Sequence, residues 1–181
     1  SPVPVIIVIA VIVIAAAAFF ILSPSKEKAS AKGMNLLVIT LDTMRADRIG
    51  AYGYKNAQTP NLDRLAKNGV LFEDCYTPVP LTLPAHVSLF TGKYPIGHGV
   101  RDNGAFFLAP QEETLAEALK KKNYRTFAAI ASFVLLSKFG LDQGFDVYDD
   151  ALEANQVITH LGSEIKAEAV YNKFEKWFSQ H

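Results

Sequence analysis

Residues 81–104 read LTLPAHVSLFTGKYPIGHGVRDNG, a stretch that mixes prolines and glycines with apolar residues typical of a core. A central β-strand does not tolerate these prolines, and a plain surface loop does not need so many Leu, Val and Phe side chains. The segment PAHVSLFTG predicts a short helix, because Pro84 suits a first turn and Gly92 suits a helix end. Thr82 then lies at the helix start, either as a cap or as a nucleophile.

The start of this predicted helix could also bind an anion. Free backbone N–H groups and the positive end of the helix dipole meet there. A hydroxyl held beside a divalent metal can lose its proton near neutral pH, because a bound metal lowers the pKa of water by roughly eight units. From the local pattern alone, Thr82 is more readily interpreted as a helix cap.

Strands and helices alternate along the rest of the chain. Continuous or β-branched apolar runs predict strands over residues 35–41 (NLLVITL), 70–76 and 124–131. Amphipathic patterns predict helices over residues 59–70, with Thr59 as cap and Gly69 at the end, and over residues 112–122 and 163–179. We therefore expect an α/β domain over residues 35–181, with a parallel-rich sheet flanked by helices.

Asp42 directly follows the first predicted strand. Ligands of parallel α/β sheets gather at the carboxyl ends of the strands, and a carboxylate is a suitable ligand for Zn, Mn, Mg or Ca. A lone Asp after a strand is more commonly a turn or cap residue, but the motif LDTMRADRIGAYGY around Asp42 favours a functional role.

Residues 3–22 (VPVIIVIAVIVIAAAAFFIL) carry no charge and are about long enough to cross a bilayer as a helix. They predict a transmembrane anchor, with a cleaved signal peptide as the alternative. The polar residues 23–34 predict a flexible linker. Three lysines after the anchor favour a cytoplasmic location for that side by the positive-inside rule, namely Lys26, Lys28 and Lys32.

The composition excludes several classes of protein. Eighteen basic and 18 acidic residues balance to zero net charge, so we expect no nucleic-acid partner. Cys75 is the single cysteine, which excludes a disulfide framework, and we expect it to be a small buried residue. The sequence ends at His181 inside a predicted helix, so we expect the domain to be truncated at its C-terminus.

The order and spacing of the motifs resemble the N-terminal half of the sulfatase family in the alkaline phosphatase superfamily. The resemblance covers roughly residues 35–178. It rests on Thr82-x-Pro84-x-His86, Thr91-Gly92-x-Tyr94-Pro95-x-x-His98-Gly99-Val100-x-x-Asn103, LDTMRADRIGAYGY, TPNLDRLAKNGVLF and GLDQGFDVYDD. It implies an alkaline phosphatase-like three-layer sandwich with a metal at the strand ends. It also implies an extracytoplasmic (periplasmic or extracellular) location for anchored members, which outweighs the lysine pattern.

The chain departs from typical sulfatases at three places. They carry Cys-x-Pro-x-Arg, whose Cys or Ser becomes formylglycine, whereas here Thr82 and His86 occupy the Cys and Arg positions. They open with two aspartates, whereas here Asp42 is followed by Thr43. Their Gly-Lys-Trp-His run is replaced by ASF at residues 131–133. Threonine has no route to the aldehyde through the same modification.

The Thr-x-Pro-x-His pattern also resembles the nucleotide pyrophosphatase/phosphodiesterase branch. That resemblance implies that Thr82 is the nucleophile and that Asn103 contacts the phosphate. It also implies Asp42 and Thr82 as ligands of a divalent metal, with further Asp and His ligands past His181. We therefore expect residues 35–181 alone to lack substantial activity.

Other residues have weaker signals. His86 could orient Thr82 or contact the ester, and it could equally be a structural hydrogen-bonding residue. Arg101 could bind an anionic group, although a surface role is the simpler interpretation. We expect His98 to be structural, and Arg45 and Asp47 to form a pair near the mouth of the site.

The predicted function is a membrane-anchored, metal-dependent hydrolase that cleaves phosphate or sulfate esters of small molecules, glycans or lipids through Thr82. Phosphate is favoured, because a phosphorylated Thr can be released by an activated water while a sulfated Thr lacks the exit that an aldehyde hydrate provides. A phosphoethanolamine- or phosphoglycerol-type transferase and a non-catalytic sulfatase-like binding domain are the alternatives.

Overall fold

The computed structural model describes residues 33–152 and 165–180. The chain divides into two compact units, Ser1–Leu41 and Asp42–His181. The predicted transmembrane segment 3–22 and most of the predicted linker lie outside the described residues. Within the described ranges, no helix combines the length and the apolar character that crossing a membrane requires.

The second unit contains short helices and one pair of strands in its described part. In chain order these are the 3₁₀ turns Ala46–Arg48 and Gly50–Tyr52, α1 (Pro60–Asn68), α2 (Thr82–Thr91), α3 (Pro95–His98), α4 (Leu115–Lys120), β1 (Phe127–Ala129), the 3₁₀ turns Phe133–Leu135 and Ser137–Phe139, β2 (Val147–Asp149) and α5 (Ala167–Phe178).

The two strands pair in parallel, which confirms the predicted α/β class. Ala128 lies opposite Tyr148 in the register. The last helix packs on β1, where Trp177 stacks on Phe127 with ring centroids 4.9 Å apart. Lys173 of α5 also forms a 2.7 Å ion pair with Asp149 at the end of β2.

Helix α2 lies at the centre of the hydrophobic core. Leu83 and Val87 of α2 are fully buried. They pack in one cluster with Val100, Leu108, Leu135, Phe139 and Leu141. The core therefore fixes the position of the helix that begins at Thr82.

Helix α2 confirms the helix predicted from the proline and glycine signals. It ends where Gly92 adopts a left-handed φ of 67° and donates its N–H to the Ser88 carbonyl. The capping interpretation of Thr82 is wrong. Leu81 takes the N-cap position, and Thr82 is the first helical residue.

Two of the three predicted strands do not form. Residues 35–41 are exposed and have no regular secondary structure, and the same holds for residues 70–76. Val70 and Phe72 are 79% and 67% exposed, and Cys75, predicted to be buried, is exposed as well. An apolar run favours a strand only where another strand supplies a hydrogen-bonded neighbour, and neither run takes part in the one strand pair of the described residues.

The remaining predicted elements form with shifted ends. Helix α1 follows Thr59, but the Thr59 hydroxyl accepts from the Gly50 N–H at 3.0 Å instead of capping the helix. Helix α4 is shorter than predicted and is preceded by a capping box between Thr114 and Glu117. Strand β2 was not predicted.

Candidate active site

Thr82 and Asp42 are brought into direct contact although 40 residues separate them in sequence. The Thr82 hydroxyl donates a hydrogen bond of 3.0 Å to Oδ2 of Asp42. Thr82 is half-buried and Asp42 is exposed, so the pair lies at a surface that a substrate can reach. The hydroxyl proton is therefore directed at a carboxylate.

The second oxygen of Asp42 is held by the residue after it. Oδ1 accepts a 2.9 Å hydrogen bond from the Thr43 N–H. Thr43 has a φ of 56°, a left-handed conformation that is costly for a β-branched side chain. Backbone strain of this kind gathers at functional sites. The sequence identified Thr43 only as the residue that replaces the second aspartate of typical sulfatases. It did not predict the left-handed φ, because no local sequence pattern indicates it.

Asn103 is joined to the start of α2. Its Oδ1 accepts the Leu83 N–H at 2.9 Å, so Asn103 caps the helix from a distant loop. Because the oxygen is engaged, the amide NH₂ group is the part of Asn103 that remains to donate to a ligand. This bond also leaves fewer free N–H groups for the predicted anion site, because Pro84 has no N–H and the Leu83 N–H already binds Asn103.

His86 hydrogen-bonds to the backbone at the start of its own helix. Its Nδ1 donates to the Thr82 backbone carbonyl at 2.8 Å, which assigns the proton to Nδ1 because a carbonyl can only accept. The ring also lines a small apolar cavity of about 30 Å³ with Phe90 and Tyr148. Because Thr82 and His86 lie one turn apart in α2, this bond holds the ring against the first turn of the helix.

His98 and Ser88 form a buried pair that could be mistaken for a nucleophile and its base. The Val100 N–H donates to Nδ1 of His98 at 3.2 Å, so Nε2 carries the proton and donates to the Ser88 hydroxyl at 2.9 Å. Ser88 is therefore not activated by this histidine. Burial lowers the pKa of His98 below its usual value. These contacts agree with the structural role predicted for His98.

The predicted arginines lie on the surface. Arg101 is exposed. Arg45 forms the predicted pair with Asp47 at 2.7 Å. Hydrogen bonding to Arg45 holds the pKa of the Asp47 carboxyl below its usual value.

Asp42 and Thr82 suit a divalent cation in donor chemistry. Their oxygens are 3.0 Å apart, and adjacent ligands of an octahedral ion with bonds of about 2.1 Å have a separation of about 3.0 Å. Within residues 33–152 and 165–180, however, no group of three or more His, Cys, Asp or Glu residues could hold a metal ion. The two oxygens therefore form one part of a possible metal site.

A protein-family model and several curated proteins match this chain. The family model described as "Sulfatase" matches residues 34–180. Arylsulfatase A of Bos taurus is 37% identical over 103 residues, which cover 54% of this chain and 20% of that protein. N-acetylglucosamine-6-O-sulfatase of Bacteroides thetaiotaomicron is 33% identical over 124 residues, which cover 68% of this chain and 21% of that protein.

The fold also has a relative among solved structures. Phosphonate monoester hydrolase of Agrobacterium radiobacter aligns with a TM-score of 0.56 and 29% identity, covering 62% of this chain and 25% of that one. The chain spans about a fifth of the length of the curated sulfatases named above.

Proposed function

The chain belongs to the sulfatase family, and from this premise we propose that it forms the nucleophile-bearing part of a metal-dependent hydrolase of phosphate or sulfate esters, with Thr82 as the nucleophile. The hydrogen bond between Thr82 and Asp42 carries the proposal. The family relatives and the phosphonate monoester hydrolase neighbour support ester hydrolysis as the reaction class.

Thr82 supplies the attacking oxygen. Its Oγ1 forms a bond to the phosphorus or sulfur of the ester, and the bond from that atom to the leaving oxygen breaks. The hydroxyl proton passes toward Asp42, which accepts the hydrogen bond in the resting site. Water then cleaves the Thr82 ester and releases phosphate or sulfate.

Asn103 orients the ester by donating from its amide NH₂ group, because its oxygen is bound to the Leu83 N–H. Asn103 and Thr82 are both tied to the first turn of α2, so the donor and the nucleophile keep a constant relative position. Arg101 would attract the anionic ester from the surface, and His86 would help to orient Thr82 through its backbone carbonyl.

A divalent ion (Zn, Mn, Mg or Ca) held by Asp42 and Thr82 would favour the deprotonated hydroxyl. The remaining ligands would come from residues other than those described. The proposal further includes the three-layer sandwich, a membrane anchor at residues 3–22 and an extracytoplasmic catalytic domain. Phosphate is the favoured ester, for the release argument given above, and the organic part is a small molecule, glycan or lipid.

The first test compares three chromogenic substrates with the full-length protein. These are para-nitrophenyl phosphate, bis-para-nitrophenyl phosphate and para-nitrophenyl sulfate, each with Zn, Mn, Mg or Ca. We expect Thr82→Ala to lower kcat by about 10³-fold or more, as losses of a nucleophile do. Thr82→Ser is the matched control, because it keeps the hydroxyl and should keep more activity than Thr82→Ala.

The outcomes separate the alternatives. Thr82-dependent cleavage of the sulfate substrate would reverse the preference for phosphate. An adduct between the phosphoryl group and an acceptor alcohol, in place of free phosphate, would indicate transfer. Full activity of Thr82→Ala would refute the role of Thr82, and no turnover with any substrate would favour a non-catalytic domain.

A further inference from the structure

A second concave surface lies beside the loop that follows Asn103. This cleft has a volume of about 300 Å³, at the small end of the range for small-molecule sites. Four phenylalanines and one lysine dominate its walls, namely Phe106, Phe107, Phe133, Phe139 and Lys138. We refer to it as the aromatic cleft.

Lys138 places a positive charge in the aromatic cleft. Its Nζ lies 3.8 Å from the ring centroid of Phe133 and 5.0 Å from that of Phe139, so cation–π contacts hold the ammonium group over the two rings. Among the residues that the structure describes, no carboxylate pairs with Lys138. Asp150 accepts the neighbouring Ser137 N–H at 2.7 Å instead. An anion entering the cleft would therefore meet an uncompensated cation.

The rings of the cleft differ in how firmly they are held. Phe139 is buried and packs edge-to-face on Phe133, with ring centroids 5.9 Å apart. Phe107 is 67% exposed, and Phe106 is exposed as well. A flat ring entering the cleft would cover this apolar surface against a fixed aromatic floor. The cleft therefore suits a ligand that combines a ring with a negative charge.

The cleft is connected to the candidate active site through one short loop. Gly104 and Ala105 line the cleft directly after Asn103, whose oxygen caps the helix that begins at Thr82. A substrate whose ester group contacts Asn103 could extend along this loop into the cleft.

We propose that the aromatic cleft binds the part of the ester substrate that does not react, and that this part is a ring carrying a second anionic group. The inference rests on the proposed function of the Thr82 site. It narrows the substrate class to esters of an acidic ring, such as an aromatic carboxylate or an acidic sugar, and it makes Lys138 a residue that determines specificity.

Binding can be tested without catalysis. Isophthalate combines a ring with carboxylates, benzyl alcohol has the ring alone, and acetate has the charge alone. Calorimetric titration of the full-length protein should show that isophthalate binds more tightly than benzyl alcohol or acetate. Lys138→Gln should weaken isophthalate binding by about tenfold or more, while Lys122→Gln, the same change outside the cleft, should leave it unaltered. Equal isophthalate affinity in the two variants would overturn the proposal.

Kinetics supply an independent readout. The ratio of kcat/KM for dicarboxyphenyl phosphate to that for phenyl phosphate should fall about tenfold in Lys138→Gln, whereas Lys122→Gln should leave this ratio unchanged. An unchanged ratio would contradict the assignment of Lys138. If Thr82→Ala keeps its turnover while isophthalate binding still depends on Lys138, the Thr82 chemistry fails and the cleft stands. If only the isophthalate result fails, the Thr82 site stands without the cleft.

Discussion

Thr43 shows at the level of one residue how strain and site geometry are joined. Its left-handed φ of 56° directs its N–H to Oδ1 of Asp42, which leaves Oδ2 to Thr82. A β-branched residue in this conformation is strained, whereas Asn adopts it readily. The strain therefore accompanies the orientation of the carboxylate that contacts the candidate nucleophile.

Replacing Thr43 by Asn should raise the free energy of unfolding by about 1 kcal/mol, because it relieves this strain. Asn123 is the natural control, since it has a φ of 64° in the exposed turn after α4. Asn123→Thr introduces the opposite change and should lower the free energy of unfolding by a similar amount. Urea denaturation measures both variants, and a loss of stability in Thr43→Asn would show that the threonine is not strained.

His98 should make stability depend on pH. Burial lowers its pKa in the folded protein, so below about pH 6.5 the unfolded chain takes up a proton that the folded chain refuses. The contribution of His98 to the free energy of unfolding is therefore fully present above that pH and is lost as the pH is lowered. The free energy of unfolding, measured from about pH 7.5 to pH 5.5, should fall more steeply in the wild type than in His98→Gln. Parallel curves would contradict this assignment.

At the level of elements, local signals predicted helices better than strands. The proline and glycine that bound α2 act within one turn, and α2 formed where they indicated. A strand depends on a partner distant in sequence. Residues 35–41 and 70–76 have strand-like composition but no place in the β1–β2 pair, and β2 went unpredicted because its short segment has no strong local pattern.

The sequence predicted which residues form the candidate site, but it did not predict most of the contacts between them. The motif resemblance named Asp42, Thr82 and Asn103, and the structure ties the first to the second and the third to the helix start. The bond from Leu83 to Asn103 depends on tertiary geometry, and the bond from His86 to the Thr82 carbonyl lies within one helical turn. Sequence spacing could not distinguish them from direct contacts with a substrate.

The end of α2 provides a test of a single glycine. Gly92 has a φ of 67°, and a Cβ placed there would meet no atom within 4 Å, so any cost of Gly92→Ala comes from the backbone conformation. We expect a loss of about 1 kcal/mol in the free energy of unfolding. Gly97→Ala is the matched control, because Gly97 lies in helix α3 with room for a Cβ and should gain stability or stay neutral. If thermal unfolding shows the same change in stability for Gly92→Ala and Gly97→Ala, the left-handed conformation of Gly92 is not the cause of the loss.

At the level of the whole molecule, the chain spans about a fifth of the length of its curated relatives and carries the candidate nucleophile. Among the described residues, Asp42 and Thr82 are the proposed metal ligands, and two ligands alone would hold a divalent ion weakly. Residues 35–181 by themselves should therefore show weak Zn²⁺ or Mn²⁺ binding in calorimetry and no metal-dependent turnover. In the full-length protein, chelation should abolish Thr82-dependent turnover and added metal should restore it. Tight, Asp42-dependent metal binding by residues 35–181 would contradict this expectation.

The bond between Leu83 and Asn103 also bears on the chemical ageing of the protein. Asn103 is followed by Gly104, and an Asn-Gly pair is prone to deamidation because no side chain shields the following backbone nitrogen from the amide carbon. Holding the side-chain oxygen against the Leu83 N–H keeps the amide in one orientation and should slow that attack. Once deamidated, the residue would present a carboxylate at the position proposed for the anionic ester, so storage at alkaline pH should lower substrate affinity before it unfolds the chain.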